Sequence, residues 1–292
     1  MKITELIKSK RLSLSFEVFP PKTESGYDTV REATEEIASL GPAFMSVTYG
    51  AGGGTSKYTL DIAKNIKTKY GVPSIAHLTC VSSTKATVRE RIEDIKAAGL
   101  QNVMALRGDI PKELDDKDRE GWDYKYACEL VEELRRSGAD FAIGGACYPE
   151  KHPESPSADE DISRLKHKVD CGCDFLTTQM FFDNNLLYSF LYKIRERGIT
   201  VPVIPGIMPI TNANQLDRAL RLSGSFMPQR FRSIVDRFGS DPAAMMQAGI
   251  AYATDQIIDL YANGITHVHV YSMNKPEVAR KILSNLSDII GK

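Results

Sequence analysis

The sequence predicts a (β/α)8 barrel, in which eight parallel strands close into a ring and each is followed by a helix. Short segments with strand patterns alternate with segments of helical period along the whole chain. The length of 292 residues is usual for one such barrel. An open doubly wound sheet is the main alternative, but no G-x-G-x-x-G follows an early strand and no Pro- or Gly-rich linker divides the chain. We therefore expect a single domain over residues 1–292.

The first strand is predicted at 12–18 and carries an acidic residue near its end. Apolar and polar residues alternate along it, which places Glu17 on the polar face. Prolines at 20 and 21 end the strand, because neither can donate to a ladder. Among its aromatic neighbours Glu17 would be desolvated, which would raise its pKa and suit it to general acid catalysis. A solvent-facing glutamate is the alternative from this segment alone.

The other elements follow in regular alternation. Further strands are predicted at 44–49, 73–79, 102–106, 141–146, 174–179, 201–207 and 267–271. Helices are predicted at 27–40, 57–70, 84–98, 124–137, 158–170, 184–197 and 275–289, with one or more helices in 212–262. Right-handed crossovers between these units would close the barrel.

Composition excludes several classes of protein. The 37 basic and 38 acidic residues give no general attraction to nucleic acid or to anionic membranes. Five cysteines are an odd number and suit a reducing compartment. No apolar run reaches membrane-spanning length, and the N-terminus lacks the apolar core of a signal peptide. We expect a soluble cytoplasmic protein.

Polar side chains cluster where the predicted strands end, which is where barrel enzymes place their chemistry. These residues are Glu17, Thr48, His77, Arg107, Asp109, Tyr148 and Gln179. In a barrel without a site, such residues would be scattered over the outer helices. We interpret them as the rim of one pocket.

Two loops beside this rim carry further signals. The glycine-rich segment 50–56 could bring backbone N–H groups close to a phosphate or a planar ring, although a flexible turn explains it equally well. Arg107 and Asp109 flank Gly108, which indicates either a local ion pair or a polar ligand held between the two charges. The charged segment 111–123 is long for a βα loop and could act as a lid.

The fifth strand and the helix after it add a third group of polar residues. Prolines stiffen the loop that carries Tyr148 and His152, which suits a binding wall or a plain connection. Asp161, Arg164 and Lys168 share one helical stripe at the border of the apolar face. Ordinary surface ion pairs are the alternative interpretation of that stripe.

His267 and His269 share one strand face, as two metal ligands could. A metal needs further histidine or carboxylate ligands at other strand ends, and no H-E-x-x-H or EF-hand pattern is present. We expect core or rim histidines, no metal site, and a structural role for Cys171 and Cys173. A metal-dependent hydrolase that uses the two histidines is one alternative.

Taken together, these segments resemble the methylenetetrahydrofolate reductase family over nearly the whole chain. The matching segments are Phe16-Glu-Val-Phe-Pro-Pro-Lys22, Thr48-Tyr-Gly-Ala-Gly-Gly, His77-Leu-Thr79, Leu106-Arg-Gly-Asp109, Tyr148-Pro-Glu-Lys-His-Pro153, Lys168-Val-Asp170, Thr178-Gln-Met-Phe-Phe-Asp183 and Pro205-Gly-Ile207. The resemblance implies a bacterial-type enzyme made of the catalytic barrel alone, without the S-adenosylmethionine-binding domain of eukaryotic relatives.

The resemblance implies a FAD enzyme with a ping-pong cycle in one-carbon metabolism and methionine biosynthesis. NADH or NADPH would reduce the flavin, and 5,10-methylenetetrahydrofolate would then accept the hydride and become 5-methyltetrahydrofolate. By similarity, Glu17 protonates the folate nitrogen, Asp109 contacts the pterin and tunes the flavin potential, and Gln179 serves folate and nicotinamide in turn. Gln215 and Lys275 would make further folate contacts.

The resemblance also implies a flavin site and some departures from the family pattern. The flavin site would comprise Thr48, Tyr49, His77, Arg107, Gly108, Asp109, Ala127, Tyr148, His152, Asp161, Arg164, His167 and Lys168. Met180 stands where relatives often have Phe, and Ala219 where some carry an aromatic residue, so substrate stacking would differ. The resemblance implies a homo-oligomer, as bacterial relatives form. A flavin-free pterin-binding barrel, such as a folate:corrinoid methyltransferase, is the second alternative.

Overall fold

The computed structural model describes residues 1–21, 23–49, 56–110 and 122–291. The glycine-rich segment at 50–55, most of the predicted lid (111–121) and Lys22 lie outside the described residues. Within those ranges, no helix is long and apolar enough to cross a membrane.

Within the described residues, nine parallel strands form one nearly closed sheet. In chain order they are β1 (Ser13–Val18), β2 (Met45–Val47), β3 (Ser74–Thr79), β4 (Asn102–Leu106), β5 (Ala142–Cys147), β6 (Phe175–Thr178), β7 (Val203–Ile204), β8 (Gly206–Ile207) and β9 (His267–Tyr271). Neighbours around the ring follow the order β7-β6-β5-β4-β3-β2-β1-β9-β8. The predicted (β/α)8 barrel is confirmed.

The predicted seventh strand is not continuous, because Pro205 divides it into β7 and β8. Proline has no N–H to give to a ladder, although its carbonyl accepts a bond of 2.8 Å from the backbone N–H of His269. β7 pairs with β6 while β8 pairs with β9, so the two short strands together close the ring. Gly206 permits this closure, because a Cβ there would lie 2.6 Å from the carbonyl oxygen of Thr178.

The helices connect the strands in the expected order. They are α1 (Ile3–Leu6), α2 (Tyr27–Ser39), α3 (Ser56–Tyr70), α4 (Lys85–Ala97), α5 (Ala127–Arg136), α6 (Ala158–Asp170), α7 (Asn184–Glu196), α8 (Ala213–Ser223), α9 (Gln229–Phe238), α10 (Pro242–Ala262), α11 (Pro276–Asn285) and α12 (Ser287–Ile290). The segment 212–262 therefore contains three helices. The predicted C-terminal helix is interrupted at Leu286, between α11 and α12.

The first strand separates the outer core from the barrel interior. Leu14, Phe16 and Val18 are buried in the main hydrophobic core with residues of the surrounding helices. Full burial of each such side chain stabilises the fold by roughly 1.5–3 kcal/mol. Ser15 and Glu17 face the interior, as the alternation predicts, because successive side chains of a strand point to opposite sides.

Apolar side chains fill the N-terminal half of the barrel. Ile75, Met104, Phe175 and Ile204 are buried there together with Ile3 of α1. Gly144 makes room for them, because a Cβ at that position would come within 2.5 Å of the Phe175 ring. This packing closes one end of the barrel and leaves the end where the strands finish for a cleft.

A second apolar cluster anchors the helices that follow β8. This satellite core consists of Phe182, Met208, Ile210, Leu216, Ala219, Phe231, Met245 and Tyr252. The Phe231 ring stacks between those of Phe182 and Tyr252, with centroids at 5.4 and 4.3 Å. The Tyr252 hydroxyl donates to the Phe182 carbonyl at 2.7 Å. α8 is thereby fixed above the strand ends.

Candidate active site

A cleft of about 2050 Å3 opens at the C-terminal ends of the strands. Among the residues that line it are Glu17, Thr48, Tyr49, His77, Arg107, Gly108, Asp109, Ala127, Tyr148, His152, Asp161, Arg164, His167, Lys168, Gln179, Gln215 and Lys275. Met180 and Ala219 line it as well. The structure therefore brings every site residue predicted from the sequence to one cleft.

Glu17 is enclosed by side chains from the neighbouring strands. Its side chain is only 13% exposed, and its Oε2 lies 3.7 Å from His77 Nε2 and 3.9 Å from His269 Nε2. The hydroxyl of Ser46, its direct neighbour in the β1–β2 register, lies 3.4 Å from the same oxygen. Tyr271 is its neighbour in the β1–β9 register.

Burial determines the charge of this group. Desolvation raises the pKa of Glu17 to about 8, and a hydrogen bond donated by Ser46 to the charged form would offset only part of that rise. Desolvation also lowers the pKa of His77 and of His269 to about 3, so both rings are neutral at pH 7. The close approaches of the two rings to Glu17 are therefore not ion pairs. At neutral pH the carboxyl keeps its proton, as a general acid must.

His77 presents an unsatisfied polar atom beside this acid. Its Nε2 is buried and has no hydrogen-bond partner among the described residues. A buried polar atom without a partner costs about 1–3 kcal/mol, and such atoms are rare in native proteins. Because His77 lines the cleft, a bound ligand can supply the partner.

The turn after β4 places a cation and an anion at the rim. Gly108 has a φ of +89°, and a Cβ there would lie 2.6 Å from Val81 Cγ1, so glycine is required. Arg107 makes two hydrogen bonds to the Glu154 carboxylate, at 2.5 and 2.8 Å. The local ion pair considered from the sequence is thus not the one observed. Asp109 is exposed at the mouth of the cleft.

The loop after β5 is a rigid wall of the cleft. The rings of Tyr148 and His152 meet edge to face, with centroids 4.7 Å apart. Asp161 fixes the loop, because its carboxylate accepts bonds from the His152 backbone N–H at 3.2 Å and from the Ser155 hydroxyl at 2.7 Å. Burial raises the pKa of Tyr148 to about 12, so its phenol stays neutral.

The α6 stripe divides into residues of different kinds. Arg164 forms an exposed ion pair with Glu160, as the surface interpretation predicts. Lys168 reaches into the cleft and donates to the backbone carbonyl of Ala146. In the described part of the chain the Lys168 ammonium forms no ion pair, which leaves a cation for an anionic ligand. His167 is exposed at the cleft.

The opposite side of the cleft carries amide and ammonium groups. Thr211 accepts a hydrogen bond from Lys275 Nζ at 2.8 Å, and its backbone N–H donates to Gln215 Oε1 at 3.2 Å. Gln215 Nε2 is buried and has no partner among the described residues. Gln179 Oε1 accepts from the backbone N–H of Met180 at 2.9 Å.

The two histidines of β9 are committed to other bonds. His267 lies 2.6 Å from the Ser13 hydroxyl and 3.1 Å from the Ser9 carbonyl. His269 lies 2.7 Å from the Ser15 hydroxyl and 2.9 Å from that of Ser46. The described residues contain no group of three or more potential metal ligands. All five cysteines, Cys80, Cys128, Cys147, Cys171 and Cys173, are free thiols.

Four residues of the site were not identified from the sequence. They are Ser46, Glu154, Thr211 and Tyr271, and each of them contacts a residue that was identified from the sequence. A partial signal exists on β1 and β9, where polar residues at every second position indicate a polar face turned inward. For the other contacts, the sequence carries no comparable signal.

Comparisons with known proteins find relatives that match nearly the whole chain. A family model described as "Methylenetetrahydrofolate reductase" matches residues 2–287. The chain is 36% identical over 276 residues to "5,10-methylenetetrahydrofolate reductase" of Pectobacterium carotovorum, covering 94% of this chain and 90% of that one. It is 35% identical over 300 residues to "Methylenetetrahydrofolate reductase (NADH) 1" of Arabidopsis thaliana, covering 98% of this chain but only 51% of the plant protein.

One solved structure has the same fold at low sequence identity. It is described as an uncharacterized protein from Clostridium thermocellum that binds two copies of 5-methyl-5,6,7,8-tetrahydrofolic acid. The TM-score is 0.69 with 16% identity, and the match covers 100% of this chain and 99% of that one. At this identity the likeness supports the fold.

Proposed function

The chain belongs to the methylenetetrahydrofolate reductase family, and on that premise we propose that it reduces 5,10-methylenetetrahydrofolate to 5-methyltetrahydrofolate, with FAD as cofactor and NADH or NADPH as electron donor. The observation that supports this most directly is Glu17, a largely buried carboxyl that holds its proton at neutral pH in a large cleft. The bacterial relatives are named for this reductase activity, and plant relatives carry NADH in their names.

The cleft fits a flavin dinucleotide. Its volume of about 2050 Å3 exceeds that of an ordinary small-ligand pocket and has room for a cofactor together with a second ligand. Lys168 and Arg107 offer cations to a diphosphate, although Arg107 would have to share its guanidinium with Glu154. The unpartnered Nε2 of His77 offers a hydrogen bond to a polar ring edge. We propose that the flavin-site residues predicted from the sequence hold FAD here.

The chain's own residues have definable roles in the folate reaction. Bound FAD would supply the hydride that it takes from the nicotinamide. Glu17 would give its proton to the folate nitrogen as the methylene bridge opens, since an amine leaves readily only when protonated. Gln215 and Lys275 would orient the folate through groups that already face the cleft. Asp109 and Gln179 would contact the same substrate from the other strand ends.

Two half-reactions test this proposal. Purified protein should be yellow, and its flavin absorbance should bleach under NADH or NADPH and return when methylenetetrahydrofolate is added. In Glu17→Gln, bleaching by the nicotinamide should keep its rate, while reoxidation by folate should fall by about 10²–10⁴-fold, because the proton donor is gone.

The outcomes separate the candidate functions. Protein that stays colourless after incubation with FAD would contradict the flavin proposal. Binding of folate without any bleaching would favour the flavin-free methyltransferase. Equal loss of both half-reactions in Glu17→Gln would refute the acid role of Glu17 and leave the flavin site intact as a hypothesis.

A further inference from the structure

Four hydrogen-bond contacts connect Glu17 to the barrel interior in a single line. Ser46 Oγ lies 3.4 Å from Glu17 Oε2 and 2.9 Å from His269 Nε2. Ser15 Oγ lies 2.7 Å from His269 Nδ1 and 3.2 Å from the carbonyl oxygen of Val268. The strand register sets the line up, because it pairs Glu17 with Ser46 and Ser15 with His269.

The number of hydrogens available fixes the direction of every bond in this line. A carbonyl only accepts, so the contact with Val268 uses the single hydrogen of Ser15. His269 Nδ1 must then donate to Ser15, and in a neutral ring Nε2 becomes the acceptor. The Ser46 hydroxyl donates its own hydrogen to that Nε2. Its contact with Glu17 is a hydrogen bond only if the carboxyl is the donor.

We propose that Ser15, His269 and Ser46 are positioning residues that keep the Glu17 carboxyl protonated and point its proton at Ser46 until substrate binds. With the His269 ring neutral, all four contacts are satisfied together only when Glu17 carries a proton and His269 is the Nδ1–H tautomer. If Glu17 ionises, the one hydrogen of Ser46 can serve either the carboxylate or His269, and one bond is lost. This inference rests on the acid role proposed above.

The other groups around Glu17 do not replace this line. His77 on β3 approaches the carboxyl at 3.7 Å, beyond hydrogen-bond distance. Tyr271 on β9 donates its hydroxyl hydrogen to the Thr178 carbonyl, so that hydrogen is not available to the carboxylate. Of the described residues that face Glu17 from β2, β3 and β9, none is a lysine or arginine.

A second Ser–His pair on the same two strands provides an internal control. Ser13 is paired with His267 in the strand register, and Ser13 Oγ lies 2.6 Å from His267 Nδ1. His267 Nε2 faces the carbonyl of Ser9 at 3.1 Å, so Nε2 must carry the hydrogen. The two histidines of β9 should therefore be opposite tautomers, and only His269 connects to Glu17.

Nitrogen-15 NMR of the histidine rings tests the tautomers without any activity assay. The chain has five histidines, and the spectra of His269→Gln and His267→Phe would assign the two that matter. At pH 7 we expect His269 to be protonated at Nδ1 and His267 at Nε2. Protonation of His269 at Nε2, or a charged His269, would overturn the proposal.

Substitution of His269 tests the effect on the acid. In His269→Phe the ring can still stack on Phe44 (centroids now 5.4 Å apart), but Ser46 is free to donate to the carboxylate. The alkaline limb of the pH profile for the folate half-reaction should move to lower pH by about one pH unit. The rate should therefore fall about tenfold at pH 9 and little at pH 6. His269→Gln retains an acceptor for Ser46 and should restore most of the profile.

His267→Phe removes the same ring from the same strand, and its pH profile should match that of the unmodified protein. An unchanged or upward-shifted limb in a folded, flavin-loaded His269→Phe would overturn the proposal. If His269→Phe does not fold, the histidine tautomers measured by nitrogen-15 NMR in the unmodified protein test the proposal instead. A failed acid role would appear instead as normal folate reduction by Glu17→Gln, whichever tautomer His269 adopts.

Discussion

Replacing Glu17 by glutamine should stabilise the protein, and increasingly so as the pH rises. The side chain is buried at the end of β1, where desolvation penalises its charged form. Glutamine has nearly the same shape and remains neutral at every pH. Its amide can also donate to Ser46, as the protonated carboxyl does in the proposed hydrogen-bond line.

The size of the effect follows from the pKa. Burial raises the pKa of Glu17 from 4.5 to about 8, a difference that corresponds to about 5 kcal/mol. Because the pKa of Glu17 is higher in the folded state, the protein has the full stability from this group below pH 4.5. That stability is lost as the pH rises through about 8. Between pH 5 and pH 9 the Gln variant should therefore gain about 4 kcal/mol relative to the Glu protein.

Urea denaturation at pH 5, 7 and 9 measures this difference, with flavin content matched between the proteins. Glu90→Gln, on the exposed face of α4, is the control for the chemical change and should stay within about 0.5 kcal/mol of the parent protein at each pH. If the difference between Glu17→Gln and the parent is the same at pH 5 and pH 9, the carboxyl is not held protonated in the fold, and the reasoning about the acid fails.

Three further predictions concern the cofactor, the closure of the barrel and the satellite core. Lys168→Met should weaken FAD binding by about 10–100-fold in a fluorescence titration, because a charge-assisted bond to the diphosphate is lost; unchanged affinity would place the diphosphate elsewhere. Gly206→Ala should lower the free energy of unfolding, measured by urea denaturation, by about 1–3 kcal/mol, because the new Cβ would lie 2.6 Å from the Thr178 carbonyl oxygen. Unchanged stability would mean that the closed sheet has room for a methyl group there. Phe231→Ala should lower the free energy of unfolding by about 3–5 kcal/mol and raise the KM for folate. Phe238→Ala, at a partly exposed position on the same helix, should lower that free energy much less. Equal effects of the two substitutions would contradict the role of the satellite core.

Local patterns were sufficient to predict most of the fold. The short apolar run of β4 and the period of 3.6 in α6 lie within single segments, and both elements have the predicted bounds. The division of β7 from β8 was missed although Pro205 was visible. A proline breaks a ladder only where its missing N–H would have bonded, and that depends on the neighbouring strand.

The position of the cleft was also predictable, because all parallel strands of a barrel end at the same side. Once Glu17, His77 and Arg107 are placed at strand ends, the topology brings them together without further information. The partners of these residues depend instead on register and on loop conformation. Arg107 bonds to Glu154, which lies 47 positions away in a loop that has no periodic signal. From the sequence, Asp109 was the partner considered for Arg107 in a local ion pair.

The interior of the barrel changes from apolar to polar within two residues of a strand, and this change links stability to the proposed chemistry. On β3, Ile75 belongs to the apolar filling, while His77 lines the cleft beside Glu17. Buried polar groups destabilise a fold unless they bond to one another, and the register of β1 with its neighbours supplies those bonds through Ser46 and His269. Among the polar groups beside Glu17, the Nε2 of His77 has no partner in the described residues, and a ligand can use it. A carboxyl that ionised easily here would make the protein more stable at high pH and a poorer proton donor to folate, so the two properties should change together in every variant of the line.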